Sequence, residues 1–162
     1  MNLEIRLDEK SINHAIAKLK DYKKDLERKR RLLIEKLALI GANEASVRFT
    51  TAIYDGVNDV AVNLRRIKDG WAIVAKGQAV CFIEFGSGVY HNPVEPYPLP
   101  RPEGVVGIGE YGKGRGSRPI WVYYDETGKK VFARGNPAAL GMWYATEEMR
   151  RSILDVAREV FK

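Results

Sequence analysis

The sequence predicts an α+β fold: a small antiparallel sheet packed by a long N-terminal helix and a C-terminal helix, with a long projecting loop. Three observations lead there. Apolar residues recur at helical spacing from Ser11 past Gly41, and again toward Phe161. Between these stretches lie short alternating runs separated by turns that carry Gly and Asp. Residues 86–118 are crowded with Gly, Pro, Tyr and Arg, and so long an irregular stretch inside a small domain is functional or disordered rather than filler. The 162 residues read as one domain, 1–162, with an extended arm at 86–118.

Residues 2–8 alternate, with Leu3, Ile5 and Leu7 on one side and Glu4, Arg6 and Asp8 on the other, the period of a strand. Ser11 then offers a helix N-cap, with Asp8 and Glu9 well placed near a helix start. Beyond it Ile12, Leu19, Leu26, Leu33 and Ile40 recur every seventh residue, with Ala15, Ile16, Tyr22 and Leu37 beside them. Lys29 and Lys36 interrupt a second apolar seam, so the stripe is narrow. An unbroken helix to Ala52 would be roughly 60 Å long, against a domain about 40 Å across. Either it breaks near Gly41, or it protrudes and finds its packing partner on another subunit. Its polar face ends in Arg28, Lys29, Arg30 and Arg31. Because acids are interspersed, a solvated face with ion pairs from Asp21 and Asp25 to Lys18, Lys24 and Lys29 takes precedence over a DNA-facing stripe.

After a turn at residues 53–56, Val60, Val62 and Leu64 alternate with polar positions. Lys68-Asp69-Gly70 reads as a turn with Gly70 in the left-handed conformation, and Trp71, Ile73 and Ala75 return the strand. Residues 78–85 are a strand or a short helix, which periodicity alone does not decide. Ile120 to Tyr124 and Lys130 to Ala133 flank a second hairpin turn. Asn136 can cap a last helix with Pro137 at its first position, Thr146 being a second possible start. Met149, Ile153, Val156, Ala157 and Val160 form that helix's apolar face.

The chain is organised around residues 78–88. Val80, Phe82, Ile83 and Phe85 enclose one acid, Glu84, and Gly86 and Gly88 follow at once, where a backbone turns sharply or takes positive φ. Glu84 reads as a capping or paired carboxylate, with chemical work the alternative. The arm then begins. Prolines at 96, 98, 100 and 102 hold its first half near polyproline II, and glycines loosen its basic second half. Tyr90, Tyr97, Arg101, Tyr111, Arg115 and Arg118 have the composition of a protein interface, and also of a single-strand-binding surface. The stiff proline arm favours docking on a neighbouring subunit.

The phrase F-I-E-F-G-S-G at Phe82–Gly88 resembles the vEfGTg signature of the tail-component family of tailed bacteriophages, small tail-completion or head–tail joining proteins. Ser87 stands where Thr is commoner. The long charged first helix, the strand pair before the phrase and the variable arm after it agree in order. So does a Gly-x-Pro step, here Gly135-Asn136-Pro137, before a last amphipathic helix. The aP-x-dTG-x-L link that often follows the first helix is missing. The resemblance implies a ring of six subunits in the phage neck or tail, and as partners further copies of the chain and neighbouring head-closure and tail-tube or terminator proteins. It also implies non-specific DNA contact, and synthesis in the host cytoplasm.

Other chemistry finds little footing. The net charge of +6 permits contact with nucleic acid without requiring it. No apolar run approaches the ~18 residues of a membrane helix, and residues 1–8 lack a signal peptide's apolar core. The lone Cys81 reads as a buried small hydrophobe. Residues 107–113 match G-x-G-x-x-G and nearly a phosphate loop, but no strand precedes them and no helix follows. His14 reads as exposed, and His91 with Glu95 is split by Pro93. No nucleophile, base and orienter form a set. The expectation is a non-enzymatic virion assembly protein without metal or cofactor; the alternative is a basic nucleic-acid-binding module using the first helix and the Gly/Arg-rich loop.

Overall fold

The computed structural model describes residues 6–86, 120–124 and 127–162. They form an α+β fold in the order α1 (Glu9–Thr50), β1 (Ala61–Ile67), β2 (Gly70–Lys76), α2 (Val80–Phe85), β3 (Ile120–Tyr124), β4 (Lys130–Arg134) and α3 (Gly141–Val160).

The N-cap of α1 is Asp8, three residues before the expected Ser11. The Asp8 carboxylate accepts the Ser11 N–H at 2.8 Å, which satisfies one of the donors a helix start leaves open. The Ser11 hydroxyl instead accepts the Arg6 N–H at 2.8 Å. The alternation before it makes no strand at residues 6–8, where the backbone is irregular and Leu7 fully exposed; residues 2–5 of that expectation lie outside the described residues.

From Glu9 the helix runs 42 residues without a break. Gly41 does not end it. A Cβ at Gly41 would come within 2.7 Å of both Ile73 Cδ1 and Met149 Sδ, so the position is bare where β2 and α3 press closest. The contact offsets the ~1 kcal/mol that glycine costs a helix interior. α3 lies antiparallel to α1: Phe49 meets Gly141, Gly41 meets Met149, Lys36 Nζ reaches Glu159 Oε1 at 2.6 Å, and Lys29 Nζ donates to the Lys162 main-chain oxygen at 3.3 Å. The end of α3 therefore falls beside Lys29, and the first ~20 residues of α1, about 30 Å of helix, run on past it.

β1 and β2 form an antiparallel hairpin in register from Ala61↔Lys76 to Ile67↔Gly70, and this sheet packs against α1. The reversal falls on Lys68 and Asp69, neither at positive φ, so Gly70 is the first paired residue of β2 and not a left-handed turn position. β3 and β4 make a separate two-stranded sheet, Ile120↔Arg134 to Tyr124↔Lys130, with Gly128 at φ 77° in the turn between them.

The core gathers at the far end of α1, where Ala45 and Phe49 meet Ala79, Ile83 and Ala145. Val62, Ala75, Val80, Ala139 and Met142 close around them. Fully burying Phe49 and Ile83 contributes about 1.5–3 kcal/mol each. On α3, Val156 and Val160 are buried as expected, whereas Ile153 of the expected apolar face is exposed.

Candidate functional site

The residues of the F-I-E-F-G phrase form the joint that holds the two ends of the chain together. Periodicity left residues 78–85 undecided, and they fold as the short helix α2 because both its ends find remote partners. At its start the Asp59 carboxylate accepts the Gln78 N–H at 2.6 Å and the Ala79 N–H at 2.9 Å. The Ala79 bond first, then that from Gln78, holds the Asp59 carboxyl below its usual range. At its end the carbonyls of Phe82, Ile83 and Glu84 accept from Asn136 Nδ2 (2.9 Å), Ala139 N (2.8 Å) and Leu140 N (3.3 Å).

Glu84, 3% exposed, then reaches forward. Its Oε2 accepts the Met142 N–H at 3.0 Å and its Oε1 the Trp143 N–H at 3.3 Å. It is thus the cap of α3, supplied from 58 residues upstream, in the place where a helix favours an anion. Two expectations are corrected by this. Asn136 is no N-cap, since its amide serves the Phe82 carbonyl, and α3 begins at Gly141 rather than at Pro137 or Thr146. Leu140, just before α3, takes the left-handed conformation (φ 55°, ψ 36°) and bridges Glu84 O to Tyr144 N. A left-handed non-glycine residue costs roughly 1–2 kcal/mol, offset here by a buried side chain. Phe82 and Phe85 are half-buried. Gly86 closes α2 at φ 79°, ψ 167°, a region essentially reserved for glycine. Cys81 is half-buried on α2 rather than buried.

Away from this joint the surface carries three further features. The first is the N-terminal part of α1, where Ile12, Ile16, Leu19, Tyr22 and Leu26 are exposed, Leu19 to 51%, while Ala15 beside them is buried. The second is a groove of about 730 Å³ between the middle of α1 and the β1–β2 turn. Arg30 and Arg31 reach it from α1, Arg66 and Lys68 from the hairpin, and Trp71 stands in its wall. Glu27, Glu35 and Asp69 line it as well. Past Ile34 and Trp71 it adjoins an apolar cavity of about 300 Å³ lined by Leu37, Ile73, Met142 and Met149. The third is the loop after α1, where Ile53 and Val57 are 78% and 85% exposed.

The structure separates the expected basic run. Arg28 and Lys29 both pair with Asp25, at 2.8 and 3.3 Å, and the bond from Arg28 is the main cause that lowers the Asp25 carboxyl. Of the four, Arg30 and Arg31 are in no ion pair among the described residues. Sequence reasoning missed Arg66, Lys68 and Trp71, which lie more than thirty positions from Arg31 and meet it only because the hairpin folds back on α1. Gly88, Tyr90, Tyr97, Arg101, Tyr111, Arg115 and Arg118 lie outside the described residues, as do His91, Glu95 and the glycine motif at 107–113. His14 is exposed on α1. Among the described residues no three His, Cys, Asp or Glu side chains gather as metal ligands, and no helix is long and apolar enough to cross a membrane.

Comparison of the chain with protein-family models, with curated proteins and with solved structures finds no match.

Proposed function

We propose that this chain is a non-enzymatic structural protein of a tailed-phage particle, acting in tail completion or head–tail joining as a subunit of a ring. The observation that carries the reading is the exposed apolar stripe on the N-terminal part of α1. An isolated stretch of helix gains little from propensity alone and draws its stability from packing of its apolar face. Here Ile12, Ile16, Leu19, Tyr22 and Leu26 line a helix that extends past α3, and no element among the described residues covers them, which supports a second molecule as their partner. The resemblance of Phe82–Gly88 to the tail-component signature adds the kind of assembly. In this chain Phe82, Ile83 and Glu84 hold α2 against the start of α3, a structural duty that suits an assembly protein.

The arm at 86–118 reaches an adjacent subunit or the next ring, through Tyr90, Tyr97, Arg101, Tyr111, Arg115 and Arg118. Deletion of residues 90–117 tests this: the truncated protein folds but no longer joins the tail. Completed particles from the truncated protein would exclude that role for the arm. A second reading, a nucleic-acid-binding module, draws on Arg30, Arg31, Arg66 and Lys68 around one groove. It requires an affinity for DNA that falls steeply with salt, which titration of labelled DNA at two salt concentrations measures.

A further inference from the structure

The groove between α1 and the β1–β2 turn has three chemical parts. Arg30, Arg31, Arg66 and Lys68 supply positive charge, and among the described residues none of the four is in an ion pair. Glu27, Glu35 and Asp69 supply negative charge in the same lining. Trp71 and Ile34 lead from there into an apolar cavity. A phosphate chain would leave the apolar end empty. A protein segment with apolar side chains next to a carboxylate offers partners to both the basic groups and the apolar end, an aromatic and arginines beside an apolar pocket being the usual make-up of a protein contact.

The chain carries such a segment itself, in the loop between α1 and β1. That loop is tied down: Asn58 Nδ2 donates to the Phe49 carbonyl at 2.7 Å, and Asp59 holds the Gln78 and Ala79 amides. It nonetheless leaves Ile53 and Val57 in water, with the exposed Asp55 between them. Apolar groups on a loop already ordered dock with little further loss of conformational freedom. The loop precedes Ala61 and the groove lies at Ile67 and beyond, so the length of β1, about 20 Å, separates them. The loop of one copy therefore does not reach that copy's own groove.

Resting on the assembly reading above, we infer that the loop of one copy docks in the groove of the next. Ile53 and Val57 enter beside Trp71, and Asp55 faces Arg66 and Lys68. The two surfaces differ, so the contact is head-to-tail and repeats around a ring or along a filament.

The test is a Val57→Cys, Lys68→Cys double variant of the full chain, with Cys81→Ala to remove the native thiol. A disulfide needs Cα atoms less than about 7 Å apart, so the pair cannot close within one copy. Under mild oxidation the double variant gives a ladder of dimers, trimers and larger species, whereas each single cysteine stops at dimers. A charge exchange gives an independent readout. Asp55→Lys alone and Arg66→Asp alone each reduce cross-linking of the double-cysteine chain at least fivefold, and an equal mixture of the two restores it. Absence of the ladder, or an equal ladder when the second cysteine is placed at Arg151 on α3, overturns the contact. If wild-type chain still assembles, by its mass alone or with particle proteins, only this contact fails; if it never does, the assembly reading fails with it. Binding of a single-stranded or duplex oligonucleotide that Arg30→Glu, Arg66→Glu weakens tenfold or more would give the groove to nucleic acid and overturn the inference.

Discussion

Replacing Glu84 tests the joint at the centre of the fold. In Glu84→Ala the Met142 and Trp143 amides lose acceptors at 3.0 and 3.3 Å, at a site where the carboxylate is 3% exposed. A buried donor left unpaired costs about 1–3 kcal/mol, and an anion at a helix N-terminus contributes roughly 0.3–2 kcal/mol through the dipole. Met142 and Trp143 are only half-buried, so water recovers part of the first loss. The sum is about 2–4 kcal/mol, a large share of the roughly 5–15 kcal/mol that stabilises a typical domain. Glu84→Gln keeps one oxygen as acceptor and loses the charge, which places it near 1–2 kcal/mol by the same terms. A 3 kcal/mol loss lowers Tm by roughly 6–12 °C in a domain of this size. Urea unfolding followed by far-ultraviolet circular dichroism measures both variants. If alanine and glutamine each lie within about 0.5 kcal/mol of the wild type, the range of an ordinary surface change, Glu84 does not cap α3.

Three more outcomes follow from the same geometry. Gly41→Leu forces a side chain between Ile73 and Met149 and destabilises by about 1–3 kcal/mol, seen as a lower urea midpoint. Asp59 is held below its ordinary value of 3.8 by the Ala79 and Gln78 amides. A carboxyl depressed in the folded state stabilises above its unfolded value and loses that contribution as pH falls through the folded one. Wild-type stability therefore declines from about pH 4 downward. Asp59→Asn declines less over that range, with a residual slope from Asp25 and Glu159, whose carboxyls are also lowered. Leu19→Glu and Leu26→Glu change domain stability by less than about 0.5 kcal/mol, because both sit on the exposed stripe. They abolish particle completion in a complementation assay if that stripe is an assembly surface.

What could be read from the residues, and what could not, divides by distance along the chain. The heptad recurrence from Ile12 to Ile40 gave α1, and the alternation about Lys68 and Asp69 gave the first hairpin, because each pattern lies within one element. Gly41 left the continuity of α1 open, since its local cost is visible in the sequence and the compensating approach of Ile73 and Met149 is not. Asn136-Pro137 looked like a helix start, since local chemistry permits it. The actual cap comes from Glu84, and no short-range pattern links positions 84 and 142. The same holds for Asp59 with residues 78 and 79, whose bonds settle α2 as a helix. The groove was invisible for a like reason: Arg30 and Arg31 read as a solvated run until Arg66, Lys68 and Trp71 are folded against them.

The claim that this chain works by gripping other protein molecules is tested most directly at Leu19. A photo-cross-linking residue placed there, with particle assembly under way in the host, should yield adducts of discrete mass with a second copy of the chain or with a neighbouring virion protein. Adducts with nucleic acid alone, or none at all while particles form normally, would contradict it.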